Sequence, residues 1–248
     1  MDVTTYILLS REQALRRQVD VGANNMANSN TTGFRREEPV FREYVGDVAS
    51  EGPVRGARPS FVLDYGSRLD LSHGIFQSTG SEIDIMVEGE GWLNVQSPSG
   101  ETAYTRAGHL TVLASGELAT VAGQKLLDEA GRPITVPPDQ RESLEVTNDG
   151  TVTGSQGPLG RIAVTVFEDS SSLTPRGDGL VTGQGGRILT AAETRLRNGG
   201  VEGSNVQPIA ETTRLVETLR AYQSSRQIGQ DLDEMRRRTI ERLSRNGS

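Results

Sequence analysis

The sequence predicts an α+β protein in which helices at the two chain ends flank a middle built of antiparallel β-strands. Apolar residues recur every three or four positions at both ends, and they alternate with polar residues in the middle. Between the first helix and that middle, prolines and glycines punctuate an extended arm with short strands. We therefore expect an N-terminal helical segment (1–34), an arm (35–75), an antiparallel β-domain (76–198) and a C-terminal long helix (199–248).

The C-terminal helix is the longest expected element. Ser204 or Asn205 is expected to cap its start, and Pro208 fits the first turn because amides there have no helical partner. One face is apolar and carries Leu215, Leu219, Tyr222, Ile228, Leu232 and Met235. At 1.5 Å per residue the helix would span roughly 57 Å. Because this stripe is thin and interrupted by Arg226, the helix needs partners along its length.

The N-terminal helix is expected over residues 3–28. Its apolar face carries Leu8, Leu15, Val19 and Met26. Asn28, Asn30 and Gly33 are expected to end it, because asparagine and glycine tolerate the left-handed conformation. Neither terminal helix buries its stripe alone, so we expect the two to pack together as a coiled-coil-like pair.

Residues 75–190 have the two-residue period of strands. Ile83, Ile85 and Val87 alternate with Asp84, Met86 and Glu88. Turn dipeptides then recur, namely Ser99-Gly100, Ser115-Gly116, Ala122-Gly123, Ala130-Gly131 and Asp149-Gly150. A last strong strand is expected over 161–167, and Gly199-Gly200 is expected to mark the boundary with the final helix. In the arm we expect short strands at 60–63 and 68–71, separated from the first helix by turn residues between 39 and 59.

Composition and charge exclude several function classes. The net charge is −7, and residues 1–48 hold 6 Arg against 7 acids while 201–248 hold 8 Arg against 7 acids. The acidic surplus of the middle argues against binding to nucleic acid. There are no cysteines, which excludes disulfides, thiolate metal sites and a cysteine nucleophile. No run is long enough to span a bilayer, and residues 3–9 lack the features of a secretory signal, so export would need no cleaved signal.

Candidates for catalysis are few. His73 and His109 are the only histidines, and neither lies in a serine-elbow sequence. The acidic residues Glu82, Asp84, Glu88 and Glu90 would share one solvated strand face, where they could in principle hold a cation or act on a glycan. We predict no catalytic, cofactor-binding or metal site and no small-molecule substrate, and we keep an exported cell-wall-acting β-domain enzyme as the alternative class.

Residues 23–36, which read ANNMANSNTTGFRR, form the most distinctive local pattern. Consecutive amides can satisfy the last carbonyls of a helix and reach a neighbouring chain. A plain helix stop followed by a loop explains the same composition equally well.

Together with two other stretches, this pattern resembles the flagellar axial proteins of the rod and hook family. The first motif comprises Ala23, Asn24, Asn25, Met26, Ala27, Asn28, Thr32, Gly33 and Phe34, with Met26 where the family usually has Leu. The second is Glu202, Gly203, Ser204, Asn205 and Val206. The middle adds Tyr104-Thr105-Arg106-Ala107-Gly108, then Gly116-Glu117-Leu118 and Gly123, with Leu110 where Phe is common. The match covers both ends and much of the β-domain.

The resemblance implies a structural rod subunit without enzymatic activity or cofactor. Its partners would be copies of itself, other rod proteins of the proximal and distal rod, and the flagellar type III export apparatus. The family places the terminal helices in an inner tubular layer of the periplasm-spanning rod. The opening MDVTTYILLSREQALRR, with Tyr6 early in the helix, favours a proximal-rod member. A distal-rod member and a cytoplasmic export chaperone are the remaining alternatives.

Overall fold

The computed structural model describes residues 3–45, 60–169, 172–177 and 179–246. Helices α1 (Val3–Ala27) and α2 (Pro208–Asn246) lie at the two ends of this part of the chain. Helix α1 ends just before Asn28, but among the described residues only glycines have positive φ, so the asparagines do not end it in the left-handed conformation that was expected. Pro208 occupies the first position of α2, where its missing amide costs no helical hydrogen bond. Of the helices described, neither is long and apolar enough to cross a membrane.

The two helices contact each other and run antiparallel. Near the start of α1, Arg236 Nη1 donates a hydrogen bond to Thr5 Oγ1 at 2.8 Å. Near the end of α1, Asn25 Nδ2 donates to Glu211 Oε1 at 3.1 Å. The contact residue in α2 therefore moves back from Arg236 to Glu211 as the contact residue in α1 moves forward from Thr5 to Asn25, which is the pattern of an antiparallel pair.

The arm contains a two-stranded ribbon of β1 (Glu37–Val45) and β2 (Ser60–Leu69). Strand β2 is continuous where the sequence predicted two short strands, and it pairs with β1. The Arg42 guanidinium lies 3.6 Å from the centroid of the Tyr65 ring, a cation–π contact on the ribbon. Pro39, which was expected to interrupt extended structure, lies within β1, and the turn residues expected at 46–59 lie outside the described residues.

The rest of the chain between the helices is β-rich. Its strands are β3 (Phe76–Ser78), β4 (Ile85–Val87), β5 (Gly91–Gln96), β6 (Thr102–Thr105), β7 (Leu110–Val112), β8 (Leu118–Thr120), β9 (Lys125–Leu126), β10 (Glu145–Val146), β11 (Thr151–Gly154), β12 (Gly157–Arg161), β13 (Val164–Val166), β14 (Thr174–Pro175), β15 (Val181–Thr182), β16 (Arg187–Ile188), β17 (Leu196–Asn198) and β18 (Gly200–Glu202), with a 3₁₀ helix at Pro138–Ser143. The α+β prediction is confirmed at this level.

The strands from β3 to β18 form one nine-stranded sheet and three smaller sheets, and their neighbouring strands run antiparallel. The largest has the order β14-β15-β6-β5-β9-β8-β7, and β13 joins it by pairing with both β5 and β16. Strands β10, β11 and β12 form a three-stranded sheet. The last two strands pair with the two strands that follow the arm: β17 pairs with β4, and β18 pairs with β3.

The turns lie where the sequence predicted them. The five predicted glycines have φ between +75° and +93°: Gly100, Gly116, Gly123, Gly131 and Gly150. This left-handed backbone favours glycine, and the turn dipeptides therefore predicted correctly where the strands reverse.

The strand expected over 161–167 is split. Arg161 ends β12, and the chain then enters the large sheet as β13. Ile162 and Ala163, between the two strands, are fully buried. The apolar run reads as one strand in the sequence, but here it crosses the core from one sheet to another.

The boundary expected at Gly199-Gly200 is also wrong. Gly200 begins β18 rather than the final helix, and α2 starts only at Pro208. Gly199, with φ +77°, lies where the chain passes from β17, paired with β4, to β18, paired with β3.

The strands surround one main hydrophobic core. Its largest fully buried apolar side chains include Ile85, Leu93, Leu118, Leu126, Ile162 and Leu180. A second cluster contains Trp92, Phe167, Leu173 and Val181, and the Tyr104 ring meets Phe167 edge-on with the centroids 4.9 Å apart.

The chain divides into two compact units. One, here the helical unit, comprises Met1–Met26, Glu38–Ser67 and Gln207–Ser248; the other, the β unit, comprises Ala27–Glu37 and Arg68–Val206. The arm is thus shared between the units, and the residues just after Gly199 belong to the β unit. Apart from its last boundary, which the structure contradicts, we keep the four-segment division of the sequence as a proposal for the assembled protein.

Candidate assembly site

Three distant stretches of the chain meet inside the β unit: the loop after α1, the residues after β6, and β18 with the residues that follow it. Gly33 N donates a hydrogen bond to the backbone oxygen of Glu202 at 2.8 Å. Gly33 has φ +70°, and a Cβ atom there would lie 2.3 Å from Ala107 N, so both conformation and space require glycine. We call this place the motif junction; it is formed by Gly33, Arg35, Arg106, Glu202 and Asn205.

A buried carboxylate lies between two buried guanidinium groups at the motif junction. Arg35 Nη2 is 2.8 Å from Glu202 Oε1, and Arg106 Nη1 is 3.4 Å from Glu202 Oε2. Glu202 is 0% exposed, while Arg35 and Arg106 are 4% and 3% exposed. Gly74 N donates a further hydrogen bond to Glu202 Oε1 at 3.0 Å. Removing one member would leave an uncompensated buried charge, so the three stretches depend on each other.

Arg106 also ties the junction to the start of the large sheet. Its Nη1 donates to Val87 O at 3.2 Å, and its Nη2 donates to Gly89 O at 2.6 Å. The guanidinium carbon lies 5.3 Å from the centroid of the Trp92 ring. The planar fork of arginine serves these partners at once, which a lysine could not do.

Arg35 connects the junction to the chain before β3. Its Nη1 donates a hydrogen bond to Ser72 O. His73 Nδ1 lies 3.4 Å from Arg35 Nη2 and 3.5 Å from Glu202 Oε1, with its side chain half-exposed. One of the two histidines of the chain is therefore at the solvent edge of this charged cluster.

The electrostatics of the cluster follow from burial. Burial, together with the nearby charge of Arg35, lowers the pKa of Arg106 to about 10, although the charge and hydrogen bond of Glu202 act to raise it. Burial also lowers the pKa of Arg35, and the charge and hydrogen bond of Glu202 counteract this effect. Arg106 remains a cation at neutral pH, so removal of the Glu202 carboxylate would leave like charges facing each other.

Asn205 joins backbone segments instead of capping α2. Its Oδ1 accepts a hydrogen bond from Arg36 N at 2.7 Å. Its Nδ2 donates to Asp70 O and Ser72 O, both at 2.9 Å. Ser204 Oγ accepts from Val206 N at 3.2 Å, before the helix starts. The predicted capping role of these two side chains is therefore wrong, because the helix begins too late for them to reach its first amides.

The side-chain amide of Asn25 makes a hydrogen bond inside the helical unit. Asn25 is 0% exposed, and its Nδ2 bonds the buried Glu211 carboxylate of α2. Its neighbour Asn24 is exposed. Asn28 lies just past α1, where its Oδ1 accepts from Thr31 Oγ1 at 3.1 Å. In the chain as described, this motif thus serves the helix pair and the turn after it; contact of these amides with another chain stays a prediction.

The remaining predicted assembly residues differ in exposure. Half-buried side chains are Leu8, Leu15, Val19, Met26, Phe34, Ser204, Leu215, Leu219, Tyr222 and Leu232; Gly203 and Val206 are buried; Ile228 and Met235 are exposed. Gly22, between Val19 and Met26 in sequence, faces α2: an added Cβ would lie 3.4 Å from Leu215 Cδ1, which is ordinary van der Waals contact.

Sequence reasoning did not assign roles to several residues of these sites. Arg35 and Arg106 belong to the motif junction, Gly74 N donates to its Glu202 carboxylate, and Glu211 is the partner of Asn25. Arg106 and Arg35 lay within or beside the quoted motifs, which was the available signal. Gly74 gave none; an added Cβ there would lie 1.8 Å from Gly203 O.

The acidic stretch is not one solvated face. Asp84 is buried, accepts from Leu110 N at 3.0 Å and from Thr79 Oγ1 at 2.7 Å, and precedes β4. Glu82, Glu88 and Glu90 are exposed. The sequence expectation is wrong for Asp84, because a turn and not a strand holds it. In the described ranges, no group of three or more His, Asp or Glu side chains is placed to hold a metal ion.

Three family models match this chain at the segments that form these sites. Residues 6–35 match the flagella basal body rod protein model, 86–154 the flagellar hook protein FlgE/F/G D1 domain, and 197–242 the flagellar basal body rod FlgEFG protein C-terminal model. The motif junction draws on the first and third of these matches and on the middle one through Arg106.

Full-length relatives are similar throughout. The chain is 36% identical to the flagellar basal-body rod protein FlgF of Caulobacter vibrioides over 99% of both chains. It is 30% identical to FlgF of Rhizobium meliloti over 98% of both. It is 27% identical to the flagellar basal-body rod protein FlgG of Agrobacterium fabrum, over 88% of this chain and 90% of that protein.

Proposed function

The chain belongs to the flagellar basal-body rod protein family, and from this premise we propose that it is a structural subunit of the rod, in the position of the FlgF members. The printed names of its relatives describe basal-body rod proteins, and the 36% identity to FlgF exceeds the 27% identity to FlgG. The proximal rod is therefore favoured over the distal rod.

One observation carries the proposal. The helical unit leaves large apolar side chains in solvent, on Tyr6, Leu9, Ile209, Val216, Ile228, Met235, Ile240 and Leu243. The β unit, in contrast, has a buried apolar core of its own. Apolar side chains along paired helices gain free energy when neighbouring chains cover them, so the helical unit is suited to assembly.

In the rod, we propose that α1 and α2 act as a coiled-coil-like pair in an inner tubular layer, with the β unit outside it. Side chains interlocked between neighbouring subunits would resist sliding along the axis and so transmit torque from motor to hook. Subunits would leave the cell through the flagellar type III apparatus without a cleaved signal and assemble across the periplasm with other rod proteins.

We further propose that the helices gain order during assembly, since the exposed side chains contribute little until neighbours cover them. Circular dichroism of the free chain should then show less helix than the 25 residues of α1 and 39 residues of α2 require. Full and cooperative helix content in the monomer would contradict this step.

The test of the function is incorporation into basal bodies. A chain that stops after Val206 removes α2 and keeps the whole β unit, including β18. The intact chain should co-purify with basal bodies and restore motility to a proximal-rod deletion strain, and the shortened chain should do neither. Restoration of a distal-rod deletion strain would instead support the FlgG-like position, and an intact chain found only in the soluble fraction would support a chaperone.

The enzyme alternative is tested on the exposed acids alone. E82Q, E88Q and E90Q together remove the candidate carboxylates without touching the buried Asp84. We expect the triple variant to assemble and support motility as the unchanged chain does. Loss of motility with normal assembly would favour the enzyme.

A further inference from the structure

A pocket of about 200 Å³ lies at the motif junction, within the β unit, and Arg35 and Arg106 line it. Its apolar walls are formed by Leu71, Trp92, Phe167 and Leu173. Pockets that combine apolar walls with a few convergent polar groups are the usual form of a small-ligand site.

Both arginines of the pocket have an N–H group that the fold leaves unused. Among the described residues, Arg35 Nε and Arg106 Nε have no hydrogen-bond partner, although both atoms are buried. The terminal nitrogens of the two guanidinium groups already contact backbone oxygens and the Glu202 carboxylate. A buried donor without an acceptor is costly, so an acceptor from outside the chain would stabilise this cluster.

The buried cluster also contains more positive than negative charge. Arg35 and Arg106 are both cations at neutral pH, and they share the single carboxylate of Glu202. The charge of Arg35 contributes to the lowered pKa of Arg106. Because a buried charge is stable only when it is paired, a second negative charge entering the pocket would be favoured.

Two exposed acids, Glu90 and Glu168, line the same pocket. Their charges oppose an anion, but an exposed carboxylate acts through water, where the interaction between charges is weaker than in the interior. The pKa of Arg106 reflects this difference, since it is lowered to about 10 even though the charge of Glu90 acts to raise it. The exposed acids therefore weaken the binding of an anion without abolishing it.

We propose that this pocket binds a carboxylate carried on a short apolar chain. The carboxylate oxygens would accept hydrogen bonds from the Nε donors of Arg35 and Arg106, and the apolar chain would lie against Trp92 and Phe167. Phosphate and sulfate fit less well, because they present oxygens on every side and the rest of the wall is apolar. The inference goes beyond the rod function, since the site lies within the β unit of a single chain.

Binding to the free, full-length chain tests the site. Butyrate is the probe, and butyramide is its uncharged control of nearly the same shape. In nuclear magnetic resonance spectra, the Nε–H signals of Arg35 and Arg106 should shift downfield as butyrate saturates the site. The fluorescence of Trp92, the only tryptophan of the chain, should change with the same dissociation constant. Butyrate should bind at least about tenfold more tightly than butyramide, because its hydrogen bonds are charge-assisted.

Bulk at the wall locates the bound probe. Leu71 is 41% exposed and lines the pocket, so L71W should fill the space and weaken butyrate binding at least about tenfold. Ile75 is 79% exposed and lies outside the lining, so I75W should bind butyrate as the unchanged chain does. The arginine signals measure binding in both variants, and thermal unfolding separates a filled pocket from lost folding.

Charge at the rim gives an independent test. E168Q removes one opposing charge from the lining and should tighten butyrate binding about two- to fivefold. Glu88 is also exposed but does not line the pocket, so E88Q should leave the affinity unchanged. Equal affinities of E168Q and E88Q would count against binding beside Glu168.

The outcomes separate this site from the rod function. Equal affinity for butyrate and butyramide, or unchanged arginine signals, overturns the carboxylate site. Inorganic phosphate that binds as tightly as butyrate overturns the preference for an apolar chain. Absence of the chain from basal bodies overturns the rod function and leaves the binding site standing.

Purified basal bodies then distinguish two sources of the carboxylate. Radiolabelled butyrate that binds the free chain but not assembled rods indicates that an acidic side chain of a neighbouring subunit already occupies the pocket. Butyrate that binds both indicates a free small carboxylate. Either result supports the site, because both ligands present the same group to Arg35 and Arg106.

Discussion

Glu202 Oε1 lies 2.8 Å from Arg35 Nη2, and both side chains are enclosed by the β unit. Arg35 follows the N-terminal motif, and Glu202 opens the C-terminal one. The pair therefore joins the two sequence patterns that mark this family inside a single folded unit. Since Arg106 of the middle motif also contacts Glu202, loss of this carboxylate should affect all three stretches together.

We expect E202Q to destabilise the β unit by about 3 kcal/mol, because two buried guanidinium groups lose their common counter-charge. Urea unfolding monitored by Trp92 fluorescence measures this change, since Trp92 is buried beside Arg106. E101Q is the matched control, as Glu101 is exposed and pairs with Arg176 at 3.3 Å on the surface. A surface pair contributes less than about 1 kcal/mol. Equal losses in the two variants would refute the importance of the junction.

The second prediction concerns Gly33. Gly33 and Gly80 have similar φ angles, +70° and +74°, but an added Cβ clashes only at Gly33, where Ala107 N would be 2.3 Å away. G80A should lower the free energy of unfolding by about 1 kcal/mol, because alanine is strained in a left-handed backbone. G33A should lower the free energy of unfolding by about 1–3 kcal/mol more than G80A does, because its Cβ overpacks the site. The difference between the two unfolding free energies isolates the close approach, and a difference near zero would contradict it.

The sequence predicted local features well and long-range ones poorly. Turn glycines such as Gly100 and Gly150 were identified because a left-handed turn imposes a local residue preference. The contact between Arg106 and Glu202 joins positions 96 residues apart, and no local period encodes it. Asp84 was misplaced for a similar reason: alternation around it suggested a strand, whereas its side chain bonds Leu110 N across the fold.

The helical ends illustrate the same limit. Pro208 was predicted in the first turn of α2 from the chemistry of its missing amide alone. The use of Asn205 was not predicted, because an asparagine before a helix normally caps it, and only the folded β unit brings Arg36 N within 2.7 Å of its side chain. The exposure of each apolar residue in α1 and α2 likewise depends on the register of the two helices. The spacing of apolar residues in the sequence does not give that register.

A third prediction concerns acid stability. Hydrogen bonds from Arg187 and from the amide and hydroxyl of Thr190 lower the pKa of Glu193 from 4.5 to about 2. A carboxyl with a lowered folded pKa adds stability at pH above 4.5, and this contribution disappears as pH falls from 4.5 to about 2. Carbon-13 detected titration of the Glu193 carboxyl should show the low pKa, and R187A should raise it. E193Q should flatten the acid dependence of unfolding within that window; an unchanged slope would argue against the linkage.

The last prediction tests the polar contact of the helix pair. Asn25 donates to Glu211 at 3.1 Å, and both are buried, whereas Asn24 is exposed. N25D replaces the donor with a second carboxylate, so at neutral pH it should destabilise the helical unit by about 1–3 kcal/mol through repulsion and a lost hydrogen bond. Acidification should restore part of that loss, because protonating one carboxyl removes the repulsion and supplies a new donor. N24D adds the same charge one residue away, at a solvated site, and should change little. Hydrogen exchange of amides in α1 and α2 at pH 7 and pH 5 separates the cases: faster exchange in N25D that slows at the lower pH, after correction for intrinsic rates, supports the buried pair, and identical exchange in both variants contradicts it.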